Sequence, residues 1–304
     1  MSDTNGELFS WLDDLIAIRD QGRSTLDYGD AISSLSGLLN EKDPKIIKKV
    51  ISAATVLFPH IFEFALVDGS ARGAEAWTAT GRFKKALNEY LYSEHAGIAI
   101  VTVKFLQTVV LVQSRGRPIG DVVRISLYSV RPGHRLLESI GLERESQDII
   151  ATLISMLHSK ISACSVLSSV INALGLIAKE RPQFEDIIVP PLAKWNFPPP
   201  SHLAPLQAKF IAKAIKNVFV VLMKMEPALR QRDEIIATVS ALGGDNDVAL
   251  YHRARAKARK RPLAPENNNA GAEKRTKIET PPPPPPPPPH PRKPPKSLFS
   301  PPHS

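Results

Sequence analysis

The sequence predicts an all-α fold, a helical solenoid of the HEAT or armadillo type followed by a disordered basic and proline-rich tail. Helical periods of apolar residues recur through the first 240 residues, and no segment alternates polar and apolar residues long enough to build a sheet. The predicted helix pairs begin near residues 7, 43, 96, 137 and 183, spacings that scatter around the roughly 40–47 residues of these repeats. A compact irregular helical bundle is the alternative fold.

Charge and proline content divide the 304 residues into two parts. The first 250 residues hold 27 basic and 27 acidic residues, whereas the last 54 hold 12 basic and 3 acidic ones, so the net charge of +9 lies after Leu250. Sixteen of the 28 prolines lie in 262–304. We therefore predict a neutral helical domain at 7–243 and a disordered basic, polyproline tail at 244–304.

Start and stop signals separate the helices of the first domain. Asp43-Pro44 is typical of a helix start, because Asp caps free N–H groups and Pro fits the first turn. Pro59 is expected to kink or split the long helix that follows. Pro182, Pro190-Pro191 and Gly243-Gly244 end later helices. The predicted helices span 7–20, 26–39, 46–67, 75–92, 96–113, 137–158, 162–180, 183–189, 203–225 and 228–242.

The main interruption is the segment 115–135, which is rich in glycine and proline and has too little period for a long helix. A connection of about 20 residues is unusual inside a compact domain and indicates a functional loop or local disorder.

Two apolar stretches, 96–114 and 161–178, resemble membrane spans in length. Lys104 interrupts the first, and five Ser or Asn side chains interrupt the second. Because a central lysine costs about 2.5–3.5 kcal/mol on insertion, both stretches fit buried helices of a multilayer protein better. We predict no membrane association.

No catalytic, metal-binding or cofactor-binding motif stands out. The nucleophile elbow, the phosphate-binding loop and the zinc-protease motif are absent, and the eight histidines are scattered. The single cysteine, Cys164, lies in an apolar helix, and we interpret it as a buried structural thiol, since reactive cysteines need an electropositive, exposed setting. We therefore predict no enzymatic activity and no cofactor.

The basic part of the tail predicts nuclear import. Six cations lie within the ten residues 252–261, and three more follow twelve residues later, a spacing typical of a two-part nuclear localisation signal. A weak phosphate contact with nucleic acid and a solvated linker are the alternatives. The predicted signal residues are Arg253, Arg255, Lys257, Arg259, Lys260, Arg261, Lys274, Arg275 and Lys277.

Nine consecutive prolines, Pro281–Pro289, must adopt the polyproline II conformation. Such a segment is either a ligand for the aromatic-lined grooves of SH3 or WW modules or a stiff spacer without a partner. Both interpretations stay open.

Three short stretches match one known family in order and spacing. They are the run Ile177-Ala178-Lys179-Glu180-Arg181-Pro182 that ends an apolar helix, the loop residues Ile125-Ser126-Leu127, Val130, His134 and Leu136, and Val103-Lys104-Phe105 before that loop. Arg135 stands where the family has a proline. Together they resemble the symplekin family, scaffold subunits of the pre-mRNA 3′-end cleavage and polyadenylation machinery.

The resemblance covers roughly residues 10–240 and implies a HEAT-type domain with a scaffold role in 3′-end formation. It further implies docking of the phosphatase that acts on the RNA polymerase II carboxy-terminal repeat, beside other cleavage and polyadenylation factor subunits. Family members usually continue into a C-terminal region that engages the cleavage endonuclease complex, and contacts made by that region are not carried over.

Lys104 is the only charged residue between His95 and Arg115, and Gln107 and Thr108 share its helix face. In the family the matching helix lies in the phosphatase-docking region, so we predict that Lys104, Gln107 and Thr108 bind this partner. The alternative is a lysine that reaches water or pairs with a carboxylate on a neighbouring helix.

A second function remains open at this point, a helical nucleic-acid-binding module. It would use the outward row Lys209, Lys213 and Lys216 together with the basic tail. The neutral charge of the helical domain argues against it.

Overall fold

The computed structural model of the chain describes residues 2–17, 26–68, 70–116, 125–159, 163–195, 203–225 and 231–260. Those ranges contain eleven α-helices and three short 3₁₀ helices, and no strand occurs in them. The α-helices are α1 Ser2–Ala17, α2 Tyr28–Leu38, α3 Pro44–Asp68, α4 Ala71–Ala86, α5 Ala96–Val112, α6 Ser139–Met156, α7 Cys164–Glu180, α8 Glu185–Lys194, α9 Pro205–Met223, α10 Arg232–Ala241 and α11 Asp245–Lys260.

The helices pack in two layers, which confirms the predicted helical solenoid. Each odd-numbered helix from α1 to α9 packs against the next odd-numbered one, so α1, α3, α5, α7 and α9 form one layer. In the second layer α2 packs on α4, and α8 packs between α6 and α10. Sequential contacts join the layers: α3 with α4, α5 with α6, α7 with α8, and α9 with α10.

The pairing of helices differs from the predicted register after α5. In the structure, helix pairs begin at α3, α5, α7 and α9. The helices predicted to begin pairs near residues 137 and 183 are α6 and α8, and each of these is the second member of its pair. Spacing alone cannot distinguish the two members of a pair. The long connection between α5 and α6 lengthens one repeat and shifts the count by one helix.

Burial is deepest in the centre of the odd-numbered layer. α5 buries 11 of its 17 residues and α7 buries 9 of 17, whereas α9 buries 6 of 19. This gradient follows from the stack, since a central helix is packed on both sides and a terminal one is not. The Phe105 ring of α5 lies 5.8 Å from that of Phe58 in α3 and 5.7 Å from that of Phe83 in α4.

A buried ion pair connects α4 and α6 within the even-numbered layer. Lys84 Nζ lies 2.7 Å from Glu145 Oε2, and the lysine side chain is almost completely covered. Burial lowers the pKa of Lys84, and the carboxylate of Glu145 opposes that effect. The Trp77 ring, 5.3 Å from the ammonium group, adds a cation–π contact.

α3 runs through Pro59 from Pro44 to Asp68, so the expected split of this helix does not occur. α3 packs against α1, α2, α4 and α5, and these contacts offset the hydrogen bond that the proline removes. Within the described ranges, α3 is also the helix long and apolar enough to cross a membrane, over Pro44–Val67 with mean hydropathy 1.8. A core helix meets the same criterion, and residues such as Val50, Ile51 and Phe62 are buried here.

α8 likewise continues through Pro190-Pro191 to Lys194, where the sequence predicted an end at 189. The helix starts only five residues before the first proline. Both prolines lie beyond the first four positions, so the two i→i−4 hydrogen bonds that their missing N–H groups would donate are absent from α8.

The predicted start of the disordered tail at 244 is corrected by α11. Residues Asp245–Lys260 form a helix whose Val248 and Tyr251 pack against the core. Alanines alternate with the cations in this segment and favour a helix, and Asp245 and Asp247 complement the dipole at its N-terminus. The chain thus divides into a compact unit, Met1–Lys260, and the segment Arg261–Ser304, which lies outside the described residues.

Candidate partner-binding surface

The open side of the odd-numbered layer forms a broad surface centred on α5. Along α3, α5 and α7, exposed or half-buried residues recur every three or four positions, so each helix presents one row of side chains. Because α5 packs between α3 and α7, the three rows adjoin, and we call them the α3–α5–α7 face. Its residues are Ser52, Thr55 and Val56 on α3, Ile100, Val101, Lys104 and Gln107 on α5, and Ser165, Ser168 and Asn172 on α7.

Lys104 is the one charged residue of α5, and its side chain is exposed. No hydrogen bond or ion pair joins its ammonium group to another residue within the described ranges. The ammonium group therefore reaches solvent beside the small polar and aliphatic side chains of this face. A free cation in such surroundings is available to a partner's carboxylate.

The other two predicted partner-binding residues differ from Lys104 in exposure. Gln107 is half-buried, and Thr108 is 8% exposed. The Thr108 hydroxyl donates to the Lys104 carbonyl oxygen at 3.1 Å, so this hydroxyl already donates a hydrogen bond within α5. The structure brings the three residues to adjacent positions and leaves Lys104 and Gln107 accessible.

Arg181, at the end of the Ile177–Pro182 run, closes the C-terminus of α5. Its side chain is fully buried. Nε donates to Ser114 Oγ at 3.0 Å, Nη2 donates to the Leu111 carbonyl oxygen, and Nη1 donates to the Glu180 carbonyl oxygen at 2.7 Å. Burial lowers the pKa of Arg181, and Glu180 opposes that effect. The guanidinium thus supplies donors to carbonyl groups that a helix end leaves without partners.

Gly116 allows the α5–α6 connection to cross the buried guanidinium. A Cβ atom at this position would lie 2.5 Å from Arg181 Nη1, closer than any side chain tolerates. Gln183 Nε2 donates to the Arg115 carbonyl oxygen at 2.6 Å, and the Ser126 hydroxyl donates to the Gly116 carbonyl oxygen at 2.6 Å. The start of the connection is therefore tied to the α7–α8 corner. Arg181 belongs to the run that carries the family resemblance, but the sequence pattern assigns it no role.

His134 fixes the second half of the connection. Its Nδ1 accepts from the backbone N–H groups of Leu136 at 3.2 Å and Leu137 at 3.1 Å. Nε2 must then carry the proton, and it donates to the Leu66 carbonyl oxygen at the end of α3, at 3.2 Å. Residues 125–138 are therefore an ordered connection that packs on the domain, whereas 117–124 lie outside the described residues.

A cavity of about 530 Å³ opens beside this connection. Tyr128 and Ile140, both with exposed side chains, are among the residues that line it. The others are Arg115, Leu127, Val130, Pro132, Gly133, His134, Leu137, Glu138 and Ser139. Arg115 Nε lies 3.9 Å from Glu143 Oε2. The lining carries no cluster of three metal-ligating side chains, nor does any other part of the described ranges.

Cys164 is half-buried at the first position of α7, whereas its apolar surroundings in the sequence predicted a buried thiol. Burial raises the pKa of the Cys164 thiol. Its Sγ lies 4.0 Å from the Gln207 carbonyl oxygen of α9. The higher pKa disfavours the reactive thiolate, in line with the expected structural role.

The basic residues predicted to bind nucleic acid or to direct nuclear import belong, where the structure describes them, to other helices than those of the α3–α5–α7 face. Lys209 and Lys213 are exposed on α9, but Lys216 is half-buried, and a Cβ atom at Gly244 would lie 3.4 Å from its side chain. Of the predicted nuclear signal, Arg253, Arg255, Lys257, Arg259 and Lys260 belong to α11. Arg261, Lys274, Arg275, Lys277 and Pro281–Pro289 lie outside the described residues.

Comparison with known proteins agrees with the family resemblance. The family model described as Symplekin/PTA1 N-terminal matches residues 43–260, from the start of α3 to the end of α11. The mRNA cleavage and polyadenylation specificity factor complex subunit pta1 of Schizosaccharomyces pombe is 25% identical over 256 residues, which cover 82% of this chain and 37% of that relative. The chain therefore spans well under half the length of the relative it matches. The chain belongs to the Symplekin/PTA1 N-terminal family.

Proposed function

We propose that this chain is a non-enzymatic scaffold in pre-mRNA 3′-end cleavage and polyadenylation. Its membership of the Symplekin/PTA1 N-terminal family carries the proposal, and the matching relative is a subunit of a cleavage and polyadenylation complex. The two-layer stack supports it, because each added helix pair extends the surface that partners can use. Its partners are then other cleavage and polyadenylation factor subunits, and its compartment is the nucleus.

The proposal includes docking of an RNA polymerase II carboxy-terminal-domain phosphatase on the α3–α5–α7 face. Lys104 supports this placement as an exposed cation without a partner among the described residues. An acidic group on the phosphatase would orient the complex, while the small side chains around the lysine allow close approach.

Calorimetric titration of the phosphatase into the full chain tests this docking site. Lys104→Ala should weaken binding by about 1–3 kcal/mol, as expected for a charge paired in a desolvated interface. Lys85→Ala is the matched control, since Lys85 is an exposed helical lysine on α4 of the other layer. Equal affinities of wild type and Lys104→Ala would remove the lysine from the interface.

Affinity purification from nuclear extract separates the scaffold proposal from the docking proposal. Wild-type chain should recover both polyadenylation factors and the phosphatase, whereas Lys104→Ala should recover the factors with less phosphatase. Recovery of neither group by the wild-type chain would contradict the scaffold role itself.

The basic residues of α11 and the following segment are proposed to direct nuclear entry. Replacing Arg259, Lys260 and Arg261 by Ala in a fluorescent fusion should reduce nuclear accumulation, because importin recognition depends on these cations. Unchanged accumulation would exclude this signal. For Pro281–Pro289, binding to SH3 or WW modules stays a proposal beside the role of a spacer.

A further inference from the structure

The exposed face of α9 combines large apolar side chains with lysines. Counted from Leu206, exposed positions recur 3, 4, 7, 11, 15 and 18 residues later, the last of them just after the helix end, which places this set on one side of the helix. We call this set the α9 face. Its residues are Leu206, Lys209, Phe210, Lys213, Asn217, Val221 and Lys224.

The apolar members of the α9 face are unusually exposed for their size. Leu206 is 79% exposed, Phe210 is 56% exposed and Val221 is 49% exposed. Leu206 and Phe210 are one helical turn apart, so their side chains adjoin. Large apolar side chains that share one surface mark an interaction site more often than single ones do.

The position of α9 explains why this face is open. α3, α5 and α7 each pack between two odd-numbered helices, whereas α9 packs on α7 from the same layer and on α10 from the other. α11 follows in sequence but packs on α10. Within the described residues α9 is the last helix of the layer that α1, α3, α5, α7 and α9 form, and its face exposes apolar side chains that a further helix would bury.

The charge of the face defines what kind of helix fits. Lys209, Lys213 and Lys224 flank the apolar residues, and α9 contains no Asp or Glu. None of these three lysines has a hydrogen-bond or ion-pair partner within the ranges that the structure describes. A partner that covers the apolar residues must therefore bring its own carboxylates.

We infer that the α9 face binds an amphipathic α-helix of a partner protein, with an apolar stripe flanked by acidic residues. Leu206 and Val221 are 15 positions apart, about 22 Å along the helix axis, so a partner helix of about 15 residues covers the face. This site lies on a different helix from the residues of the α3–α5–α7 face, and the inference does not depend on the proposed phosphatase docking.

Two other occupants fit the face less well. A second copy of this chain would bring lysines against lysines, and like charges across an interface repel. Single-stranded RNA would pair with the lysines, but stacking of successive bases needs several aromatic side chains, and Phe210 is the one aromatic residue of the face.

Selection from a displayed library of random 20-residue peptides tests the inference on the full chain. Wild-type protein should enrich acidic peptides with apolar residues at helical spacing, and the double variant Leu206→Ser/Phe210→Ser should not enrich them. Enrichment of the same peptides by both proteins, or no enrichment by either, would overturn the proposal.

Titration of the most enriched peptide then assigns the contacts. Phe210→Ser should weaken its binding at least tenfold, and Lys209→Ala/Lys213→Ala should weaken it several-fold and flatten its dependence on salt. Tyr128→Ser is the control, because Tyr128 is an exposed aromatic residue outside the α9 face. The proposal fails if Tyr128→Ser weakens peptide binding as much as Phe210→Ser does. It also fails if a uridine 20-mer binds the wild type and binds Phe210→Ser more weakly, or if the protein dimerises through this face.

Discussion

α5 and α9 belong to the same layer and are both rich in aliphatic residues, yet they present different surfaces. α5 packs between α3 and α7 with α6 behind it, and its exposed face is reduced to a narrow row around Lys104. α9 has an odd-numbered neighbour on one side, and it exposes Leu206, Phe210 and Val221 beside its lysines. The neighbours of a helix, more than its own composition, therefore decide which side chains a partner can reach.

The two helices also differ in the contacts that hold them in place. The C-terminus of α5 is closed by the Arg181 guanidinium, which comes from a residue 70 positions after Leu111. α9 contacts α7 through a close approach of Val218 to Gly175. We expect the stability of the centre of the stack to depend on buried hydrogen bonds. The stability of the α7–α9 contact should depend on close packing of side chains.

The largest expected effect is at the end of α5. Arg181→Met keeps an unbranched apolar stem but removes the guanidinium donors, which leaves the Leu111 carbonyl and Ser114 without them. We expect a loss of about 2–4 kcal/mol in the free energy of unfolding, measured by urea denaturation followed by helical circular dichroism. Arg253→Met, at an exposed position of α11, should change it by less than about 0.5 kcal/mol. Similar losses in both variants would contradict the closing role of Arg181.

The next effect is at the contact between α7 and α9. A Cβ atom at Gly175 would lie 2.5 Å from Val218 Cγ1, so Gly175→Ala should destabilise the chain by about 1–3 kcal/mol through overpacking. Gly81→Ala in α4 is the matched control, because nothing lies within 4 Å of its added Cβ atom, and it should stabilise the helix by about 0.5–1 kcal/mol. Thermal unfolding measures both, and a Gly175→Ala variant as stable as wild type would show that α9 is free to shift.

The smallest expected effect is an increase in the free energy of unfolding, at a residue just after α5. Both amide atoms of Gln113, just after α5, are buried without a hydrogen-bond partner in the described part of the chain. Gln113→Leu should therefore stabilise the chain by about 1 kcal/mol, because it removes an unsatisfied polar group at similar volume. Gln107→Leu, half-buried on the same helix, should change the free energy of unfolding by less than about 0.5 kcal/mol. A destabilising Gln113→Leu would indicate that the amide has a partner after all.

Much of the layered fold follows from local sequence signals. The 3.6-residue period identified most of the helices, and the continuous apolar character of α5 and α7 indicated that they are central. The pairing of the helices was not predictable in this way, because it depends on the length of the α5–α6 connection. α11 was missed because its cations suggested a linker, although its alanines favour a helix.

The candidate surface was predictable only in part. Helical spacing placed Lys104, Gln107 and Thr108 together, but it could not show that Thr108 is covered, since the covering residues come from elsewhere in the chain. The role of Arg181 depends on contacts with residues 67 to 70 positions away. The α9 face combines the predicted lysines Lys209 and Lys213 with apolar residues whose exposure follows from the end of the stack.

Site-specific photo-crosslinking tests the docking surface most directly. A photoreactive amino acid at Ile100, which lies one turn before Lys104 on the α3–α5–α7 face, should crosslink to the RNA polymerase II carboxy-terminal-domain phosphatase in the assembled complex. The same group at Lys85, on the other layer, should not. Crosslinks from position 85 with none from position 100 would contradict the account, because the phosphatase would then bind the opposite side of the stack.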